Sequence, residues 1–391
     1  MSADSRTAPN GSLITAIGMC SPLGPSAVSS CAASRAGISR ARELPDFEVL
    51  DADEEAMVPL RAHVVVGADG FSGVGRLIRL GLSALEDLRR SADLSDAEWG
   101  RTALLLNLSS GYHGQMAESM VSLDDGRVAF PDSPEPMDGP ALEERRSAGP
   151  SSLLPRLLES SGLQASPHTE ILLGDQAGFA SALQRAAELL AGSFDRCIVG
   201  GIDCLVDPPA LGALTALGLL KTPAHPTGFM PGEGAAFVLL ERDDSDARTR
   251  PSPIAVVEST AVCQGDPHEL SESPPTGRGL AGSVAGAADR ASHGRPAVVI
   301  GGCNGSNRIA QDWGTAQCAL PRDLIDVPQW FPAASFGETG AAAGPIALCL
   351  AARALHRGYA PGASVLTWHA SPRGDRSAIC LSKHGSADGA H

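Results

Sequence analysis

Short, almost wholly apolar runs alternate along this chain with longer Ala- and Leu-rich segments of helical spacing, and that alternation limits the fold more than any single motif. SLITAIGMCSPLG (12–24) reads as a strand ending in a Pro-Gly turn, and SAVSSCAASRAGI (26–38) as a helix of small residues. HVVVGADG (63–70), RTALLLNLSSG (101–111), EILLGD (170–175) and RCIVGGIDCLV (196–206) read as buried strands, as do PIAVVEST (253–260), PAVVIGGC (296–303), ASVLTW (363–368) and SAICLS (377–382). Between them, 73–90, 152–163, 178–192 and 341–355 carry helical patterns, with Leu77, Leu80, Ala84, Leu85 and Leu88 forming one stripe and Phe179, Leu183, Ala186, Ala187 and Leu190 another. Strands alternating with helices predict a layered α/β fold. Ligands in such folds meet the carboxyl ends of strands and the helix starts beyond them. Three segments have that position: GDQAG (174–178), CNGSN (303–307) and FGETG (336–340).

The chain has 391 residues, 43% of them hydrophobic and only 4% aromatic, so its core rests on aliphatic and small side chains. A formal net charge of −15, with no run of four Lys or Arg, argues against a nucleic-acid partner. The nine cysteines are scattered without a CxxC pair, which argues against a zinc site or a disulfide framework. No stretch of about 18 apolar residues appears, so a soluble, cytoplasmic protein without membrane contact is expected. Residues 1–11 and 384–391 read as polar tails, the first disordered, and 121–150 as a long surface loop rich in Pro and charge. GFSGVG (70–75) lacks the context of a dinucleotide site, and no cofactor is expected.

Taken in order, these segments resemble the β-ketoacyl synthases, a family of thiolase-like fold. GFMPGEGAAFVLLE (228–241) is similar to the family signature GFVMGEGAG followed by an apolar strand, and DRCIVGGID (195–203) to its Gly-Gly strand. ITAIGMCSPLG (14–24) looks like its opening strand, CNGSNRIAQDW (303–313) like its Gly-Thr-Gly-Thr segment closing at Asp312, and FGETGAAAG (336–344) like its Gly-His-x-x-x-Ala-Ala-Gly segment. The resemblance covers about residues 12 to 382. It implies two similar βα halves, 12–242 and 243–391, forming an α-β-α-β-α sandwich. It also implies a dimer, either of this chain with itself or with an active ketosynthase, and an acyl carrier protein as a further partner.

Carried over residue by residue, the family's nucleophilic Cys falls at Asp175, counting from Gly178, its first His at Asn304 and its second at Glu338. A shift of one or two residues would put the Cys position at Gln176 or Gly174, neither of them a Cys. Some relatives that keep only decarboxylation have Gln at the Cys position but retain both His, which are absent here. The family's Lys falls at Ala333, and Phe229, Gly305 and Ser306 fall in its substrate-binding segments. The terminal Phe-Gly-Phe-Gly-Gly loop is degraded to SPRGDRS (371–377).

Condensation needs a thiolate to carry the acyl group and donors to stabilise an enolate. A carboxylate at Asp175 makes a poor acyl carrier, Asn304 cannot hold a proton for transfer, and an ionised Glu338 would repel the enolate. Three readings follow: a non-catalytic partner of an active synthase, an enzyme using Asp175 and Glu338 as an acid–base pair, and a thiolase-like adaptor. Cys303, His113, His225 and Glu233 have bland readings, as a buried thiol, a satisfied loop imidazole, an ordinary loop residue and a structural carboxylate.

Overall fold

A computed structural model describes residues 11–51, 54–122, 128–129, 150–242, 252–264 and 266–385, with 121, 122, 128, 129, 150 and 151 described by their backbone alone. The expected tail at 1–11 lies almost wholly outside them, as do most of the expected loop at 121–150 and the end of the polar segment at 384–391.

Ten strands form the main sheet: β1 (Ser12–Cys20), β2 (Ala103–Leu108), β3 (Thr169–Leu173), β4 (Arg196–Cys204), β5 (Glu233–Arg242), β6 (Ala255–Cys263), β7 (Val298–Ile300), β8 (Gln329–Trp330), β9 (Ser364–Ala370) and β10 (Arg376–Ser382). From one edge to the other their order is β3-β2-β4-β5-β1-β6-β10-β9-β7-β8. Outward from the β1–β6 junction, both halves repeat one pattern: two antiparallel steps, then two parallel ones. The junction itself is short, pairing Ser12, Leu13 and Ile14 with Val257, Val256 and Ala255.

The helices fill the layers. α4 (Asp175–Ala191) and α8 (Ala343–His356) pack against strands of both halves. Most of their residues are buried, as befits helices with protein on every side. Pro345 sits in the first turn of α8, where the missing N–H costs no helical bond. α2 (Gly73–Ser91) is amphipathic and covers the outer face of one half, burying Leu80, Gly81, Ala84, Leu85 and Leu88. Its buried Asp87 accepts the Met19 N–H at 3.1 Å and the Ala27 N–H at 2.7 Å, tying β1 to α1 (Ala27–Arg35). α3 (Pro150–Ser161) lies on α2, and α6 (Arg278–Ala288) covers the other half with α7 (Asn307–Gln317) beside it. The expected α-β-α-β-α layering is present.

One strand expectation fails. Residues 63–70 leave the strand conformation and pass through a short 3-10 turn at Val66–Ala68, while Ala56–Ala62 pairs with Arg42–Asp51 as a separate ribbon. The Val65 N–H is spent on the Glu233 carboxylate at 2.7 Å instead of on a strand ladder, and Val66 is left exposed. α5 (Pro208–Ala216), α6 and α7 went unread because their Gly- and Pro-containing sequences weaken the helical signal.

Candidate active site

The three candidate segments meet at the start of α4, although 336–340 follows a short helix, Ala333–Phe336, and not a strand end. Gly174 follows β3 as the N-cap residue of α4, and Asp175 opens the helix with φ of 51°, a left-handed value that few non-glycine residues adopt. Glycines allow this turn: a Cβ on Gly174 would lie 2.4 Å from the Gly178 Cα, and one on Gly178 would lie 2.4 Å from Asn107 Oδ1. Asn107 is buried in β2, and its amide donates to the carbonyls of Asp175 at 2.7 Å and Ala341 at 3.1 Å. The Ser371 hydroxyl donates to the Gly174 carbonyl at 2.8 Å and accepts the Ala177 N–H at 2.9 Å.

The Asp175 side chain turns toward the end of β2. Its Oδ1 accepts the Ser110 N–H at 2.8 Å and the Ser109 hydroxyl at 3.3 Å, and its Oδ2 accepts the Ser110 hydroxyl at 2.6 Å. Both oxygens are therefore occupied. Gln176, one residue on, lines the cavity shared with Asn304 and Glu338. The one-residue shift weighed from the sequence thus matters: the helix-start side chain that faces the cavity is Gln176, and Asp175 faces Ser110.

Glu338 is buried and holds the set together. Its Oε1 accepts from Gln176 Nε2 at 3.2 Å and from the Gly340 N–H at 2.7 Å, and its Oε2 accepts from Asn304 Nδ2 at 2.6 Å. Asn304 Oδ1 in turn accepts the Ser306 N–H at 3.0 Å. Asp175 and Glu338 share no hydrogen bond. Burial raises the Glu338 carboxyl above its ordinary range, opposed by its three donors. Burial also pushes Asp203 up to about 7, against the N–H groups of Ala341 and Cys204, with the charges of Asp175 and Glu338 adding to the rise.

The cavity over this set has a volume of about 40 Å³ and is walled by Gly301, Gly302, Ile309, Pro332, Phe336 and Ile346 among others. That is room for a water or two, against the roughly 300–1,000 Å³ of pockets that bury organic ligands. Two buried polar atoms on its lining residues, Gln176 Oε1 and His369 Nε2, have no protein partner. Burial lowers His369 to about 4, which keeps its imidazole neutral near pH 7. The sequence reading missed His369 and the pinning Asn107. An amide inside the apolar run ALLLNL was the available signal for the second.

Other expected site residues lie elsewhere. Phe229 is buried in a cluster with Leu60, Leu205, Leu211 and Leu220 and does not line the cavity. Gly305 has φ of 111°, and a Cβ there would come within 2.8 Å of the Gly228 carbonyl oxygen; Ser306 caps the start of α7. Ala333 is a wall of the cavity. Cys303 is partly buried, and burial pushes its thiol up to about 11, away from nucleophilic use. His113 shares a hydrogen bond of 2.8 Å with Glu269. Burial would lower its pKa, but the Glu269 bond and the charges of Glu269, Asp175 and Glu338 outweigh it and raise the value. His225 is exposed in a turn. Glu233 is a fully buried ion-pair partner of Arg76 at 2.6 Å.

Among the described residues no cluster of His, Cys, Asp and Glu is arranged to hold a metal ion, and no helix is long and apolar enough to cross a membrane.

Residues 175–246 match the family model of the beta-ketoacyl synthase N-terminal domain. Solved ketosynthase structures superpose on nearly the whole chain. AntDE:AntF, a type II PKS acyl-carrier protein in complex with its ketosynthase bound to the hexaketide, gives a TM-score of 0.74 at 16% identity over 96% of this chain and 100% of that one. The ishigamide ketosynthase/chain length factor gives 0.69 at 19% identity, over 96% and 100%. The oxazolomycin ketosynthase domain OzmH KS7 of Streptomyces albus JA3453 gives 0.70 at 16% identity, over 97% and 76%. No curated protein matches the chain. The resemblance read from the sequence holds: the chain has the ketosynthase fold and carries the family's sequence pattern from 175 to 246.

Proposed function

We propose that this ketosynthase-fold chain is a non-catalytic subunit, like a chain length factor, that supports an active ketosynthase in the synthesis of a polyketide or fatty acyl chain. The observation that carries the reading is the hydrogen-bonded set Gln176–Glu338–Asn304 under a cavity of about 40 Å³. No thiol stands at the helix start, no imidazole stands at either loop position, and the space holds no acyl chain. Asp175 is fully engaged by Ser109 and Ser110.

The likeness in fold to a ketosynthase/chain length factor supports the subunit role. So does β3, which among the described residues ends the sheet with one side unpaired and is a ready surface on which to continue it into a partner. We place the two halves of the chain at 12–242 and 243–391, in keeping with the repeated strand order. An acid–base pair of Asp175 and Glu338 lacks support, since every oxygen of both is bonded to another group and the two do not meet.

The test is intact-mass spectrometry of the chain alone after incubation with acyl- and malonyl-loaded carrier protein, with carbon dioxide release measured in parallel, and, in a separate preparation, co-expression with a ketosynthase. No adduct, no carbon dioxide and a co-purifying ketosynthase are expected. A covalent acyl adduct or released carbon dioxide would overturn the non-catalytic reading. The small cavity also suits a thiolase-like adaptor; silence in both assays without a co-purifying ketosynthase would favour that role.

A further inference from the structure

A second pocket, roomier than the cavity over Glu338, adjoins it across Pro332. It has a volume of about 360 Å³ and sits between the end of α1 and the segment that follows β8. Trp330, Phe331, Pro332, Leu350 and Tyr359 make its walls largely apolar. Trp330 and Tyr359 stack with ring centroids 6.4 Å apart, and Phe331 is 39% exposed, large for a phenylalanine that nothing covers. A volume of this size with apolar walls and few polar groups is the usual form of a small-molecule site.

The one charged residue on the lining is Arg35, in the last turn of α1. Its guanidinium carbon lies 4.2 Å from the centroid of the Tyr359 ring, within cation–π reach. Among the described residues the guanidinium donates no hydrogen bond and meets no carboxylate. Arg353 adds a second positive charge that acts on Tyr359. On a chain of net charge −15 this is a local reversal of sign. A planar fork with free donors beside an aromatic wall is the arrangement that holds a carboxylate in two parallel hydrogen bonds.

We propose that this pocket binds a small monocarboxylate with a flat apolar body, its carboxylate on the Arg35 guanidinium and its body against Trp330, Phe331 and Leu350. The site is independent of the subunit role argued above. Pro332 is common to the walls of this pocket and of the cavity over Glu338, so an occupant would touch the segment that separates the two.

Isothermal titration calorimetry with 2-naphthoate tests this, with 2-naphthamide as the neutral control. One saturable site is expected for the acid. Arg35→Gln should weaken it by about tenfold or more, and the amide should bind weakly and alike to both proteins. Arg35 is exposed, so the variant should keep the wild-type urea midpoint; Arg35→Lys, which keeps the charge without the fork, should fall between and serves if the glutamine variant is unstable. Absence of saturable binding of 2-naphthoate, or equal affinity for wild type and the Arg35 variants, would overturn the assignment.

Discussion

Asp203 is the residue whose setting makes the most direct claim on a measurement. Its side chain lies beneath the turn that carries Glu338, and it accepts the Cys204 and Ala341 N–H groups, each at 2.8 Å. Burial is the largest cause of its rise to about 7, from an unfolded value of about 3.9. The folded state then holds a proton that the unfolded chain releases. The Asp203 contribution is fully present below the unfolded value and is lost as pH climbs through 7. Asp203→Asn removes that titration but sets an amide where two N–H donors converge, which should cost about 1–3 kcal/mol at pH 5. Urea midpoints of both proteins from pH 5 to pH 8 check this: the wild-type advantage should shrink as pH rises, and parallel curves would show that Asp203 is not the group responsible. Glu338, raised by the same cause, stays in both proteins, and because its charge acts on Asp203 the difference between the curves reports the two groups together.

At the scale of elements, the glycines of β4 set how closely the layers approach. A Cβ on Gly201 would lie 2.4 Å from the Ala341 carbonyl oxygen, and one on Gly200 would lie 2.1 Å from the Phe237 ring. Gly201→Ala should therefore destabilise by at least about 1–3 kcal/mol, because backbone must move. Gly212, inside α5 with nothing within 4 Å, is the control: Gly212→Ala should stabilise by about 0.5–1 kcal/mol. Urea midpoints of the two variants should move in opposite directions, and a tolerated Gly201→Ala would mean that the central layer is softer than its geometry implies. This same packing decided how much could be read in the sequence. The strands around Gly200 and Leu105 were legible because strands buried on both faces are continuous apolar runs. Two of the site loops, 174–178 and 303–307, were legible because each links a strand to a following helix, whereas 336–340 follows the short helix Ala333–Phe336 and leads into a 3-10 turn. Residues 63–70 misled because Val64 and Val65 are buried like strand residues while the Val65 N–H goes to a carboxylate distant in sequence. Whether Asp175 or Gln176 faces the cavity was open for a similar reason. It depends on a positive φ and on Ser110, neither of which has a local periodic signal.

For the whole molecule, the question is which surface a second chain would cover. Two candidates stand out. The ribbon of Arg42–Asp51 and Ala56–Ala62 exposes Leu50 and Met57, directly opposite each other, at 56% and 54%. The other is β3, which pairs with β2 on one side and, among the described residues, has no strand against its second row of N–H and C=O groups. Apolar side chains standing singly on a ribbon are common on protein surfaces and need no partner. An open row of backbone groups on a strand of apolar sequence is a template for another strand, and a partner there turns solvent-facing groups into ladder bonds. The opposite edge, β8, offers only Gln329 and Trp330, too short to seed a stable ladder. The subunit reading therefore predicts a continued sheet across β3. Hydrogen exchange followed by mass spectrometry on the assembled and dissociated protein reads this without altering a residue. Peptides covering Thr169–Leu173 should slow by at least about tenfold on assembly, while those covering 42–62 and 329–330 should keep their rates, since an amide gaining a strand partner acquires the opening free energy of the interface. Slowing confined to 42–62 would place the partner on the ribbon and remove the structural basis for a ketosynthase-like pair. Under the proposed subunit role, slowing at β3 would also explain why the chain keeps the full ten-strand frame, because the edge is positioned by β2 and β4, which rest on the same central helices that hold the site.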